Sequence, residues 1–177
     1  INISKLDSSR DYLVYGGVDS SCSDSLSQED IDKYKSINNL QFKGVTKEPL
    51  LDFYKKPYIL IVPSIYGEGI PRAIAESLLL EIPVLSSRKA LSSTFTENML
   101  YVVDSIDPKN YLKMINSIEK EINTNKFFSK LEKGRNFVLD SLTESKVIKD
   151  TMKIYKMILK NNKDIYLNKE YKLKSKN

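Results

Sequence analysis

Two hydrophobic patterns alternate along this chain. Short runs of consecutive apolar residues are separated by longer stretches in which apolar positions return at helical spacing. The runs at 11–15, 40–42, 58–62, 83–85 and 99–103 read as strands. The stretches at 28–37, 49–55, 71–80, 108–122 and 127–139 read as helices. Asp107-Pro108 supplies a cap and a first-position proline, and Tyr111, Ile115, Ile118 and Ile122 then fall on one face. Ser141-Leu142-Thr143-Glu144 reads as a capping box. It opens a helix that ends near Lys160, whose apolar residues Val147, Ile154, Tyr155 and Ile158 are expected to pack in a core. The serine-rich segment 22–28 reads as a loop, and 88–96 fits neither period.

Short strands separated by helices predict a parallel sheet covered on both faces, an open α/β fold. Residues 1–160 form the expected domain, and 161–177 an exposed basic tail. Ligands of such sheets bind beyond the carboxyl ends of the strands. Two glycine-bearing turns fall there, Gly16-Gly17 and the stretch 63–71.

Composition removes several chemistries. The chain has no histidine, which excludes Ser-His-Asp catalysis and most zinc sites. Its single cysteine, Cys22, cannot form an intrachain disulfide. Net charge is +5. The tail supplies +3 of it, from five lysines against Asp164 and Glu170. The rest is nearly balanced, which argues against a nucleic-acid surface. The tail reads as a solvated terminus, with attachment to a membrane surface or a partner as the alternative. Asp30-Ile31-Asp32 is nominally a metal-binding D-x-D, but residues two apart on a helix do not face the same way, so no metal site is expected. No apolar run has the length of a membrane helix and no signal peptide is visible, so a cytoplasmic location is expected, with the inner face of the membrane as the alternative.

The stretch 58–76 carries the chemistry. An apolar strand meets a turn with Gly67 and Gly69, and Pro71 stands at the expected first helical position. Strand, glycine turn and helix start present free backbone N–H groups to an anion. Two carboxylates bracket the turn, Glu68 within it and Glu76 inside the helix. A carboxylate at an anion site makes sense if it accepts hydrogen bonds from sugar hydroxyls. Solvated surface charge is the competing reading.

Pro63-Ser64, Glu68-Gly69-Ile70-Pro71-Arg72, Glu76 and Pro83-Val84-Leu85 together closely resemble the signature of family 4, or group 1, retaining glycosyltransferases. Their E-x7-E motif is matched at Glu68 and Glu76. The resemblance extends over about 11–160, through Leu13-Val14-Tyr15-Gly16-Gly17, Leu40 to Val45, Tyr101-Val102-Val103 and Asp107-Pro108. It implies the C-terminal, donor-binding half of a GT-B fold, with a Rossmann-like sheet. It also implies transfer of a sugar from a nucleotide diphosphate sugar to a glycan or lipid-linked acceptor, with no obligate metal or other cofactor.

By the same resemblance Glu76 binds the ribose hydroxyls and Glu68 contacts the donor sugar near the reacting centre. Gly69 and Ile70, ahead of Pro71 and Arg72, offer N–H groups to the sugar or diphosphate. The backbone at Val45 holds the base, and Gly16 and Gly17 allow close approach of the nucleotide. The family usually has a small residue or glycine where this chain has Glu81, and glycines where it has Arg88 to Ser93. The family's first strand and helix, with their Arg and Lys pair, and its acceptor-binding N-terminal domain have no counterpart here. The chain, which begins at Ile1, is therefore expected to be truncated and inactive alone, with a separately encoded acceptor domain as partner. A non-catalytic remnant or binding subunit is the alternative.

Overall fold

The computed structural model describes residues 1–18, 26–45, 47, 54 and 58–174, with side chains described as far as 160. Its backbone divides into two units, 1–135 and 136–177.

The first unit opens with α1 (Asn2–Leu6), which the apolar pattern did not predict, followed by β1 (Tyr12–Tyr15). Next come α2 (Gln28–Tyr34) and β2 (Leu40–Gly44). The unit continues through β3 (Leu60–Val62), α3 (Arg72–Leu79) and β4 (Val84–Ser87). A short 3₁₀ turn (Arg88–Ala90), β5 (Tyr101–Val103) and α4 (Pro108–Glu121) complete the order up to α5 (Asn125–Ser141), within which the division between units falls. The expected helix at 49–55 lies outside the described residues, apart from Tyr54, and so does Cys22.

All described strands pair in parallel, as the alternation of strands and helices requires, but they form two sheets. In one, β1 lies against β2, with Tyr12 opposite Leu40 and a shift of register between Val14 and Tyr15. In the other, β4 is central, with Leu60 of β3 opposite Val84 and Leu85 opposite Tyr101 of β5.

Alternation along β4 sorts the core. Leu85 joins Ile61, Tyr101 and Val103 on one face, beneath Tyr111, Ile115 and Ile118 of α4 and Phe127 and Leu131 of α5. The neighbouring Val84 and Ser86, equally buried, point to the face that α3 covers with Ile74 and Leu78. Each such apolar side chain stabilises the fold by about 1.5–3 kcal/mol. Asp107 caps α4 by accepting from the Lys109 N–H, with Pro108 in the first turn. Ile122 ends that helix and is part-exposed, so the buried stripe stops at Ile118.

A polar cluster at the amino ends of β1 and β3 ties α1 and β1 to α4. Arg10 grips Glu119 with two hydrogen bonds of 2.8 and 2.5 Å and reaches Asp7 at 2.6 Å. Tyr12 donates to Asp7 at 2.6 Å and Tyr58 donates to Glu119 at 3.1 Å.

In the second unit, α6 runs from Glu144 to Lys174, past the expected end near Lys160. Ser141 is the last residue of α5, so it does not cap α6; two residues, Leu142 and Thr143, separate the helices. The apolar residues of α6 are not core. Val147, Ile154, Tyr155 and Ile158 are each about half exposed. Helical spacing showed that they share a face, but not whether that face is buried.

Candidate functional site

The E-x7-E stretch folds as strand, turn and helix. β3 delivers the chain at Val62, and the turn 63–71 is braced from β4 and the segment beyond it. Ser86 donates to the Val62 carbonyl at 3.3 Å, and Ser87 donates to the Ser64 carbonyl. The Ser92 N–H donates to the Gly69 carbonyl at 3.1 Å. Segment 88–93, which replaces the glycines of the family pattern, thus supports the turn. Gly69 has φ +68°, a left-handed conformation that a residue with Cβ rarely adopts.

Pro71 stands one residue earlier than expected relative to the helix. It is the N-cap of α3, and Arg72 is the first helical residue. A proline has no side-chain oxygen with which to cap, and α3 has neither a side-chain cap nor an acidic residue in its first turn. Its opening N–H groups have no partner within the helix. This end of α3 therefore carries uncompensated positive potential, the property that suits an anion.

Glu76 lies about one turn into α3 and is three-quarters buried, at 25% side-chain exposure. Tyr54 donates to Glu76 Oε2 at 2.8 Å, while Arg72 lies 3.6 Å from Oε1. Burial, and then the neighbouring Glu76 carboxylate, push the Tyr54 phenol well above its ordinary value, so it stays a donor. Glu76 is thus fixed in place. Glu68 is exposed, as are Gly67 and Ile70. Helix, turn and both carboxylates form one contiguous group.

The second group sits at the carboxyl ends of β1 and β2. The Gly16 N–H donates to the Gly44 carbonyl at 2.9 Å, and Gly16 has φ +124°. A Cβ on Gly17 would come 3.2 Å from Val45 Cγ2, a tight contact that a small shift of that side chain relieves. Gly16, Gly17 and Val45 are brought together, with Val45 largely exposed. Each group is assembled by its own sheet, and both lie at strand carboxyl ends.

The remaining motifs serve structure. Asp30 forms a reciprocal capping box with Ser27, and Asp32 accepts from Lys35 at 2.6 Å. No metal-binding cluster of acidic or cysteine side chains occurs among the described residues. Arg88 pairs with Asp104 at 2.7 Å and with Glu97. Lys5 lies over the Tyr34 ring at 4.8 Å. Glu81 occupies a left-handed conformation at φ 57°, a region that glycine adopts more readily. Such a conformation costs a non-glycine residue about 1–2 kcal/mol. Sequence reading missed Tyr54, Ser87 and Ser92, whose partners lie 22, 23 and 23 residues away and leave no local signal.

No protein-family model matches the chain, and no curated protein matches it. Several solved structures do. A glycosyltransferase from Rickettsia africae matches 90% of this chain with a TM-score of 0.74 at 20% identity. HepE of Anabaena, solved in complex with UDP, matches 89% with a TM-score of 0.67 at 12% identity. The C-terminal domain of a group 1 family glycosyltransferase from Francisella tularensis matches 66% with a TM-score of 0.51 at 14% identity. The chain spans 43% of each of the first two and 62% of the third. At these identities the likeness establishes the fold. It is an α/β fold of the kind found in GT-B glycosyltransferases, and the expected fold class is the one observed.

Proposed function

We propose that this chain is the donor-binding part of a retaining, nucleotide-sugar-dependent glycosyltransferase. The observation that carries the reading is the open amino end of α3, with Glu76 held beside it by Tyr54 and Arg72. In this reading the diphosphate lies against the N–H groups of Gly69, Ile70 and the first turn of α3. Glu76 accepts from the ribose hydroxyls, and Glu68, at the surface of the turn, meets the donor sugar. Gly16, Gly17 and Val45 border the base. The UDP bound to the similarly folded HepE supports a nucleotide as the ligand class.

Departure of a nucleoside diphosphate requires stabilised negative charge. The α3 N–H groups and Arg72 supply that stabilisation beside the turn, while Arg10 and Arg88 are committed to carboxylates elsewhere. The acceptor site belongs to an acceptor domain, the proposed partner, and the whole enzyme transfers sugar to a glycan or lipid-linked acceptor in polysaccharide assembly. The commitment of Arg10 and Arg88 also favours a second reading, a subunit that binds donor without turning it over. Turnover by the purified chain without a partner contradicts both readings.

Calorimetry with UDP-, GDP- and dTDP-sugars tests the site. One donor class is expected to bind, and Glu76→Ala is expected to weaken it at least tenfold, about 1.4 kcal/mol. Equal binding by the variant removes the ribose role of Glu76, and absence of binding to any donor removes the function.

A further inference from the structure

Tyr54 reaches Glu76 from outside the strand-turn-helix unit. Its side chain is buried, at 5% exposure, and its hydroxyl donates to Glu76 Oε2 at 2.8 Å. Burial and the Glu76 carboxylate both raise the phenol, so the proton of this hydrogen bond stays on Tyr54. The bond engages one lone pair of Oε2 and leaves the other acceptor sites of the carboxylate open. Arg72 lies 3.6 Å from Oε1, beyond hydrogen-bond distance, on a side chain that is 92% exposed. Solvent screens such a contact.

The helix that carries Glu76 is fixed as well. Ile74, Ser77 and Leu78 of α3 are fully buried, so the core sets the backbone on either side of the carboxylate. Glu76 thus has a preset position, open acceptor sites on both oxygens and a quarter of its side chain accessible. Such a carboxylate fits a vicinal diol. The two hydroxyls of a diol are spaced like the two carboxylate oxygens and can donate one to each, whereas a lone hydroxyl uses half of the arrangement.

We propose that Tyr54 is a positioning residue, which holds Glu76 for the paired 2′- and 3′-hydroxyls of a ribose and so makes the site select ribonucleoside over 2′-deoxyribonucleoside diphosphates. This selectivity rests on the donor-binding reading and narrows it. A UDP- or GDP-sugar suits the site, and a dTDP-sugar, whose nucleoside lacks the 2′-hydroxyl, does not. A carboxylate free to rotate would lose that freedom on taking up a diol, while one already held by Tyr54 has lost it in folding. A site built to bond a hydroxyl also rejects the analogue that lacks it, because the acceptor is then left unpaired. The ring of Tyr54 packs in the interior, and its hydroxyl is the part that acts on Glu76.

Calorimetry of the full chain tests this with UDP and GDP, each against its 2′-deoxy counterpart, and with dTDP. The native chain, Tyr54→Phe, Glu76→Ala and the double variant are compared. Tyr54→Phe keeps the buried ring and removes only the hydroxyl, so the native circular dichroism is expected to persist. The native chain should bind UDP or GDP about tenfold or more tighter than the 2′-deoxy form. In Tyr54→Phe the ribonucleotide should weaken about fivefold or more and the 2′-deoxy form change about twofold or less, so the discrimination collapses. A purely structural role for Tyr54 would weaken both by one factor. In the Glu76→Ala background, loss of the Tyr54 hydroxyl should change ribonucleotide binding about twofold or less, because the two side chains act as one unit. Three results overturn the proposal and leave donor binding standing: equal binding of the ribo and 2′-deoxy forms by the native chain, dTDP bound as tightly as the better ribonucleotide, or a common factor for both forms in Tyr54→Phe. Tighter ribonucleotide binding by Tyr54→Phe also overturns it, since Tyr54 would then compete with the ribose for Glu76. Binding of none of these nucleotides removes the donor-binding reading itself and this selectivity with it.

Discussion

Asp7 accepts hydrogen bonds from Ser9, Arg10 and Tyr12. Burial alone would push its carboxyl up, but hydrogen bonds from Ser9, Tyr12 and Arg10 outweigh that and hold it well below the usual carboxylate range. Its neighbour Glu119 is also lowered, chiefly by Arg10. Groups with depressed folded values add stability that is complete above their unfolded values, near pH 4, and is lost as pH falls through the folded values. The urea midpoint is therefore expected to be level between about pH 7 and 5 and to drop below about pH 4. In Asp7→Asn the acid limb should be shallower; an unchanged limb would remove Asp7 from the account. None of this was legible in the sequence. Arg10 and Glu119 are 109 residues apart, and no periodicity links them. Glu68 and Glu76 were legible because both sit within one local strand-turn-helix unit.

At the scale of elements, the close approach of α5 to α3 rests on Gly134. A Cβ there would lie 2.8 Å from Leu78 Cδ2 and 3.2 Å from the Met99 carbonyl oxygen. Leu78 is buried, so its side chain cannot swing out into solvent. Overpacking of this kind costs about 1–3 kcal/mol, against about 1 kcal/mol that alanine gains over glycine inside a helix. Gly134→Ala is expected to lower the urea midpoint, and an unchanged or raised midpoint would show that the helices can separate. Helices α2, α4 and α5 were legible to within a few residues, because caps and apolar periodicity are local. The division of the strands into two sheets was not, because pairing is decided between residues distant in sequence. Helix α6 was legible as an amphipathic helix, but its burial was not, since that depends on what lies opposite.

For the whole molecule, the fold is that of much longer glycosyltransferases, of which the chain spans less than half in the Rickettsia and Anabaena structures. The proposed division of labour follows from its parts. A turn braced by Ser87 and Ser92 leads into a helix whose amino end is open, and glycines at the ends of β1 and β2 leave room beside the backbone. The central claim is that these places hold a nucleotide sugar. Backbone amide NMR shifts, followed while the donor identified by calorimetry is titrated in, test it most directly. The amides of Gly69, Ile70 and Arg72 should move together with those of Gly16 and Gly17, with one shared dissociation constant. Shifts confined to other surfaces, with these five amides unmoved at saturating donor, would contradict it.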